Sequence, residues 1–210
     1  MAMDSYELLA AKGCGSAIVE AAFALAGAPV TVTEASPYEE GPGKERLRAL
    51  NPLLQVPTLV LPDGRVMTES AAIILHLADR YPASSLIPPP DAPERPEFLR
   101  WLVFLVGAVY PTFTFGDVPA RYVTGKTAED ELRRTSDEAR KAMYRQMEAV
   151  AGEPWFLGER FSAIDLYLAA MVNWRPRRAW FTAECPRLDA IATRTQALPA
   201  LAAVWARNFD

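Results

Sequence analysis

The sequence predicts two unlike halves: an α/β unit of order βαβαββα over residues 1–82 and an all-α unit over 94–210, joined by a linker at 83–93. Three observations carry this expectation. Short apolar runs alternate with helical periodicity only in the first eighty residues. Prolines then crowd the stretch around Pro88-Pro89-Pro90 and Pro93, which makes an extended, stiff connection. Beyond it the apolar residues recur at helical spacing, and no strand pattern of comparable strength follows.

In chain order, Tyr6 to Ala10 is an apolar strand ending in the loop Ala11-Lys12-Gly13-Cys14-Gly15-Ser16. From Ala17, the residues Ile18, Ala22, Leu25 and Ala26 make a helix face that Gly27 closes. Pro29 to Thr33 reads as a second strand, and a β-loop-α-β start requires parallel pairing with a right-handed crossover. A brief helix over Lys44 to Leu50 follows the loop Ala35 to Gly43 and leads to Asn51-Pro52. Thr58 to Leu61 and Arg65 to Met67 flank Pro62-Asp63-Gly64, a hairpin signal. Ala71, Ile74, Leu75 and Ala78 then mark a helix that begins near Thr68-Glu69-Ser70 and stops at Pro82.

In the second half, Glu94 to about Tyr110 is an apolar helix, bent or interrupted at Pro111 because proline lacks the N–H a helix needs. Its continuation through Phe113, Phe115 and Tyr122 is irregular and aromatic. Thr127-Ala-Glu-Asp130 reads as a capping box opening a polar helix to about Ala151. Ser162-Ala-Ile-Asp165 reads as another, with Asp165 reaching back to the Ser162 N–H, Phe161 stapled to Leu166, and Leu168, Ala169 and Val172 turned inward. Pro186 to Thr195 and Ala197 to Arg207 complete the helices.

Composition narrows the function. Half of the 210 residues are apolar, 23% are charged, and the net charge of −4 comes with no basic stripe. That argues against nucleic acid as a partner. The opening residues show no charged n-region, and the longest uncharged run, Trp101 to Gly116, is too short to span a bilayer. A cytoplasmic protein with no membrane partner is expected. Cys14 and Cys185 make no disulfide framework and fit a reducing compartment. His76 is the one histidine, and no metal-ligand spacing occurs.

A helix start leaves unpaired N–H groups and partial positive charge, so it attracts a carboxylate. Glu69 there is an acid placed to meet an amine, and Ser70 offers a hydroxyl and an N–H. Together they suit the zwitterionic head of an α-amino acid. A cis bond at Val56-Pro57 would turn the chain sharply and present the Val56 N–H and C=O outward to an extended peptide. Val-Pro, hairpin and Glu-Ser in this order resemble the glutathione transferase family. Phe156-Leu-Gly158 followed by Ser162-x-x-Asp165 is similar to its C-terminal folding signature, so the resemblance spans essentially the whole chain. It implies a thioredoxin-like first domain followed by a helical domain. Glutathione would be the cosubstrate, with Gln55, Val56 and Pro57 along its cysteinyl backbone and Glu69 and Ser70 at its γ-glutamyl end. It also implies a small hydrophobic electrophile as second substrate, a homodimer, and no metal.

The chemistry then falls to the first loop. A thiol has a pKa of about 8.5, so the protein must stabilise the thiolate with a donor or the field of a helix start. Tyr6 lies too early on its strand for a tyrosine-type enzyme. Cys14 resembles the cysteine that bacterial and omega-like members carry before the first helix. Ser16 sits where a helix cap is wanted. Counted back from Gly27 without gaps, Gly15 falls at the bacterial-type cysteine and Gly13-Cys14 at the zeta-type serine pair. Both residues stay candidates for the catalytic group, with Cys14 preferred. The polar Asn and His that beta-type members bring to the sulfur have no match in Trp101 to Tyr110. Tyr110, Phe113 and Phe115 are candidate walls of an apolar cosubstrate pocket, or core aromatics. Trp174 and Trp180 are further candidates for that cleft, and Arg175, Arg177 and Arg178 are either a solvated turn or a site for an acidic group. Conjugation of glutathione to an electrophile is the leading reading. The alternatives are a Cys14-dependent thiol-disulfide exchange or deglutathionylation, and a glutathione-fold binding module without turnover.

Overall fold

Tyr6–Ala10 forms strand β1, one of the two inner strands of the sheet in the first unit of this computed structural model. The structure describes residues 5–210, so the reading of residues 1–4 lies outside the described residues. Two compact units are present: residues up to Ile87 together with Arg194–Asp210, and Pro88–Thr193.

In the first unit, helix α1 (Ser16–Ala26) crosses from β1 to β2 (Val30–Glu34), and the two strands pair in parallel. Gly27 ends α1 in the left-handed region, φ 61°, where a side chain would be strained. Helix α2 spans Pro42–Leu50, β3 Thr58–Val60, β4 Val66–Met67 and α3 Ser70–Arg80. The strands are ordered β2-β1-β3-β4, with β3 antiparallel to both neighbours. Alternation along β1 sends Leu9 to one face, where it meets Val60, Ala35 and Leu47 of α2. Glu7 lies on that same face and pairs with Arg46 of α2. Leu8, beside Leu59, points to the opposite face, with the buried Ile18, Phe23, Ile73 and Leu77 of α1 and α3.

The second unit is helical. Helix α4 (Arg95–Phe104) passes through a π-turn at Leu105–Val109 into α5 (Tyr110–Asp117). The expected bend or interruption at Pro111 takes the form of this wider turn: Tyr110 N–H reaches the Leu105 carbonyl, a residue with no N–H is accommodated, and the helix runs on. The stretch expected to be irregular around Phe113 and Phe115 is therefore α5. It also corrects the run said to be too short for a bilayer. Arg95–Asp117 is 23 residues long with a most apolar window of mean hydropathy 1.5, enough by length and composition to cross one. Six of its apolar side chains, from Phe98 to Phe113, are buried in the fold.

Helix α6 (Lys126–Val150) starts from Gly125 at φ 97°, not from Thr127. The expected capping box there does not form, and Asp130 pairs with Lys126 and Arg133 on the surface instead. Helix α7 (Ala163–Met171) is buried along its whole length. The second capping box does form. Asp165 accepts from Ser162 N–H at 2.7 Å and from Phe156 N–H at 2.8 Å. Phe161 meets Trp155 edge-on, ring centres 5.1 Å apart. Helix α8 (Arg178–Glu184) has no counterpart in the sequence reading, and α9 spans Pro186–Gln196. The expected final helix divides into a 3₁₀ turn at Pro199–Leu201 and α10, Ala202–Phe209. That last segment groups with the first unit and not with the helical one, because Leu201, Trp205 and Asn208 are buried there on α1.

Candidate functional site

The register of the four strands gathers the three segments singled out above. Leu9, near the end of β1, lies opposite Thr58 at the start of β3, and Leu59 lies opposite Met67 at the end of β4. The loop after β1, the Val56-Pro57 approach to β3 and the Glu69-Ser70 start of α3 therefore leave the sheet at the same end.

In the first of these segments Cys14 is half-exposed and forms no disulfide. Its carbonyl accepts from Ala17 N–H at 3.1 Å, so the residue closes the opening turn of α1. Ser16 is different. It is fully buried, and its hydroxyl accepts from Ala11 N–H at 3.1 Å and donates to the Ala11 carbonyl at 3.2 Å. Both hydrogen-bonding functions tie the loop shut, so Ser16 presents no hydroxyl to a bound sulfur. Gly13, at φ 71°, supplies the left-handed turn just before Cys14. Lys12 reaches the backbone oxygen of Asp210 at 3.1 Å.

The second segment is pinned from beneath. Asn51 is buried and donates to the Gln55 carbonyl and to Thr58 Oγ1, both at 3.1 Å. Its own side-chain oxygen accepts from Leu53 N–H at 3.1 Å. Thr58 donates to the same Gln55 carbonyl at 2.8 Å. The Gln55 backbone is thus held while its side chain is exposed, and Val56 and Pro57 follow half-buried across a cis bond.

In the third segment Glu69 is exposed at φ 66°, ψ 105°, a conformation rare for a residue with a Cβ. Its carbonyl accepts from Ile73 N–H at 3.0 Å, the first helical bond of α3, and Ser70 behind it is half-exposed.

A family model, "Glutathione S-transferase, N-terminal domain", matches residues 16–80. The uncharacterized GST-like protein YncG of Escherichia coli K12 is 41% identical over 93% of this chain and 95% of its own. The chain belongs to the glutathione S-transferase family. Among solved structures, a glutathione transferase homologue from Sulfitobacter with bound glutathione superposes with TM-score 0.86 at 23% identity, covering 98% of each chain. A sphingomonad glutathione S-transferase complexed with glutathione gives 0.78 at 26%, covering 97% of this chain and 100% of that one.

In this glutathione S-transferase chain the aromatic candidates of the helical unit separate into groups. Tyr110, Phe113 and Trp174 form an edge-to-face trio with ring centres 5.3–6.0 Å apart. The guanidinium of Arg140 lies 4.1 Å from the Phe113 ring. It is buried and bonded to Asp137 and Thr112, and burial pushes its pKa down. Phe115 pairs instead with Tyr122, and Trp180 with Tyr144 and Phe181. Arg175 bridges Asp117 and Asp137, Arg178 pairs with Asp189, and Arg177 donates to the Asn173 carbonyl. These contacts are internal ties of the helical unit. His76 faces the Tyr6 hydroxyl at 3.5 Å.

Sequence reasoning missed the supports. Asn51 figured only as half of Asn-Pro, although an Asn whose oxygen caps the residue two ahead is a recognisable turn signal. Thr58 read as a strand residue alone. Asn208, whose side-chain oxygen accepts from Gly13 N–H at 3.2 Å, carries no local signal, since 195 residues separate the pair.

Proposed function

We propose that this chain is a glutathione transferase joining the thiolate of glutathione to a small hydrophobic electrophile. The observation that carries the reading is the convergence of Cys14, Val56-Pro57 and Glu69-Ser70 at one end of the sheet. Glutathione lies as an added strand beside Val56, which pairs with its cysteinyl backbone, and Gln55 and Pro57 flank that contact. Glu69 takes the α-amino group and Ser70, at the N-terminal end of α3, takes the carboxylate. The sulfur then falls toward the opening of α1. There Cys14 and the helix-start N–H groups favour the thiolate over the thiol, whose proton passes to solvent. The thiolate forms a carbon–sulfur bond to the acceptor as the leaving group departs with its electron pair, or adds to a polarised double bond.

A second reading rests on the half-exposed Cys14 beside the fully engaged Ser16. Cys14 thiolate attacks a mixed disulfide with glutathione, takes the glutathionyl sulfur and releases the other thiolate. A second glutathione then resolves Cys14, leaving oxidised glutathione. Assays of the unmutated protein, Cys14→Ala and Ser16→Ala with an aryl halide and with a mixed disulfide separate the two. The transferase reading expects Cys14→Ala to cost conjugation roughly 100-fold, and Ser16→Ala to act chiefly on stability. Conjugation unchanged in Cys14→Ala with disulfide exchange lost would give the task to the second reading. Glutathione bound without turnover of either substrate would leave a binding module. The homodimer and cytoplasmic location belong to the same reading, and light scattering tests the first.

A further inference from the structure

The loop that carries Cys14 is held from outside by a helix nearly 200 residues away. Asn208 on α10 accepts from Gly13 N–H through Oδ1 at 3.2 Å. Its amide nitrogen donates to the Val204 carbonyl at 3.0 Å and to Glu20 of α1 at 3.4 Å. The two donor contacts fix which way the amide faces, so the oxygen is the atom turned to Gly13. Glu20 is itself buried, and Arg207 donates to it at 2.6 Å while its other nitrogen reaches Glu34 at 2.8 Å. A carboxylate taken out of water persists only when paired and hydrogen-bonded, and Arg207 and Asn208 do both. The chain of contacts runs from Arg207 to Glu20 to Asn208 to Gly13, one peptide before Cys14.

We propose that Asn208, oriented by Glu20 and Arg207, is a positioning residue that sets the Gly13-Cys14 peptide and with it the placement of the Cys14 sulfur. The proposal rests on the reading that Cys14 faces the glutathione sulfur, yet its effect on the Cys14 thiol is measurable without any turnover. With the Gly13 N–H released, the turn before α1 relaxes, and the sulfur shifts relative to the start of α1, where the field of a helix end favours an anion.

The test is the pH dependence of Cys14 alkylation by iodoacetamide, followed by peptide mass, in the full chain. Asn208→Ala is compared with the exchange pair Glu20→Gln/Asn208→Asp. In that pair the carboxylate at 208 still accepts from Gly13 N–H and the amide at 20 supplies the donor between positions 20 and 208, while the bond to the Val204 carbonyl is given up. Asn208→Ala is expected to shift the alkylation profile to higher pH and to lower kcat for conjugation roughly tenfold, with KM for glutathione changed less than about twofold. The exchange pair is expected to restore the profile toward that of the unmutated chain. An unaltered alkylation profile in Asn208→Ala, whatever its thermal stability, overturns the proposal. So does a shifted profile that the folded exchange pair leaves uncorrected. If the unmutated protein turns over no acceptor, the transferase reading fails while the alkylation profiles still decide the positioning role.

Discussion

Replacing Asp165 by alanine tests the second capping box most directly. Asp165 and Ser162 are fully buried at the start of α7, itself buried on every face. The carboxylate is the acceptor for two backbone donors, Phe156 N–H and Ser162 N–H, and lies 3.4 Å from the Ser162 hydroxyl. Truncation leaves both N–H groups without it, at about 1–3 kcal/mol for each buried donor left unsatisfied. The sum is roughly 4 kcal/mol, and at about 2–4 °C per kcal/mol for a chain of this size the melting temperature falls by roughly 8–16 °C. Asp165→Asn keeps one acceptor and is expected to cost about half as much, and Ser162→Ala, which removes the Ser162 half of the capping box and the long contact to the carboxylate, about 1 kcal/mol. Differential scanning fluorimetry with urea titrations as a cross-check gives the order. A melting point for Asp165→Ala within 2 °C of the unmutated chain, a difference of about 1 kcal/mol or less, would refute the assignment of those two donors to this side chain.

The same residue links stability to pH. Burial pushes Asp165 up to about 7, against the pull of its backbone donors, and burial also raises Glu20 despite Arg207. Between about pH 4 and about 7 the folded state keeps protons that the unfolded state has released, so stability is highest at the acid end and falls as pH rises toward 7. Asp165→Asn is expected to flatten that slope in urea midpoints measured across the range. Glu69→Gly separates charge from strain. It relieves the positive φ and is expected to stabilise the fold by about 1 kcal/mol, while glutathione binding by calorimetry weakens roughly 10–100-fold with the lost charge-assisted bond. Asn51→Ala removes three hydrogen bonds around Gln55 and is expected to destabilise the chain by roughly 1–3 kcal/mol, read as a urea midpoint.

The parts legible in the sequence were those written in local chemistry. The periodicity at Ala71, Ile74 and Ala78 marks α3 because recurrence every three to four residues is set within one helix, whatever its face meets. The Ser162-x-x-Asp165 box is readable for the same reason: cap and acceptor are three residues apart. The Thr127–Asp130 box used the same letters and failed, since a glycine at 125 starts α6 two residues earlier and the acid has lysine and arginine within reach. Cys14 and Ser16 could not be told apart from sequence because the difference lies in the Ala11 backbone folding over one hydroxyl. The Asn208 tie was illegible for the opposite reason: no rule of spacing connects residues brought together only when α10 docks on α1.

The five residues Leu105–Val109 hold one position more than an unbroken α-helix would place in that turn. Each position in a helix advances the azimuth by about 100°, so the surplus acts as an indexing notch for everything beyond it. Tyr110 and Phe113 look toward Trp174 at that setting. Excising a single codon at the exposed Gly107 would turn the later helix by about one such step and aim a different set of side chains at the tryptophan. A change of one residue in length could therefore alter this aromatic surface more than any single substitution within it.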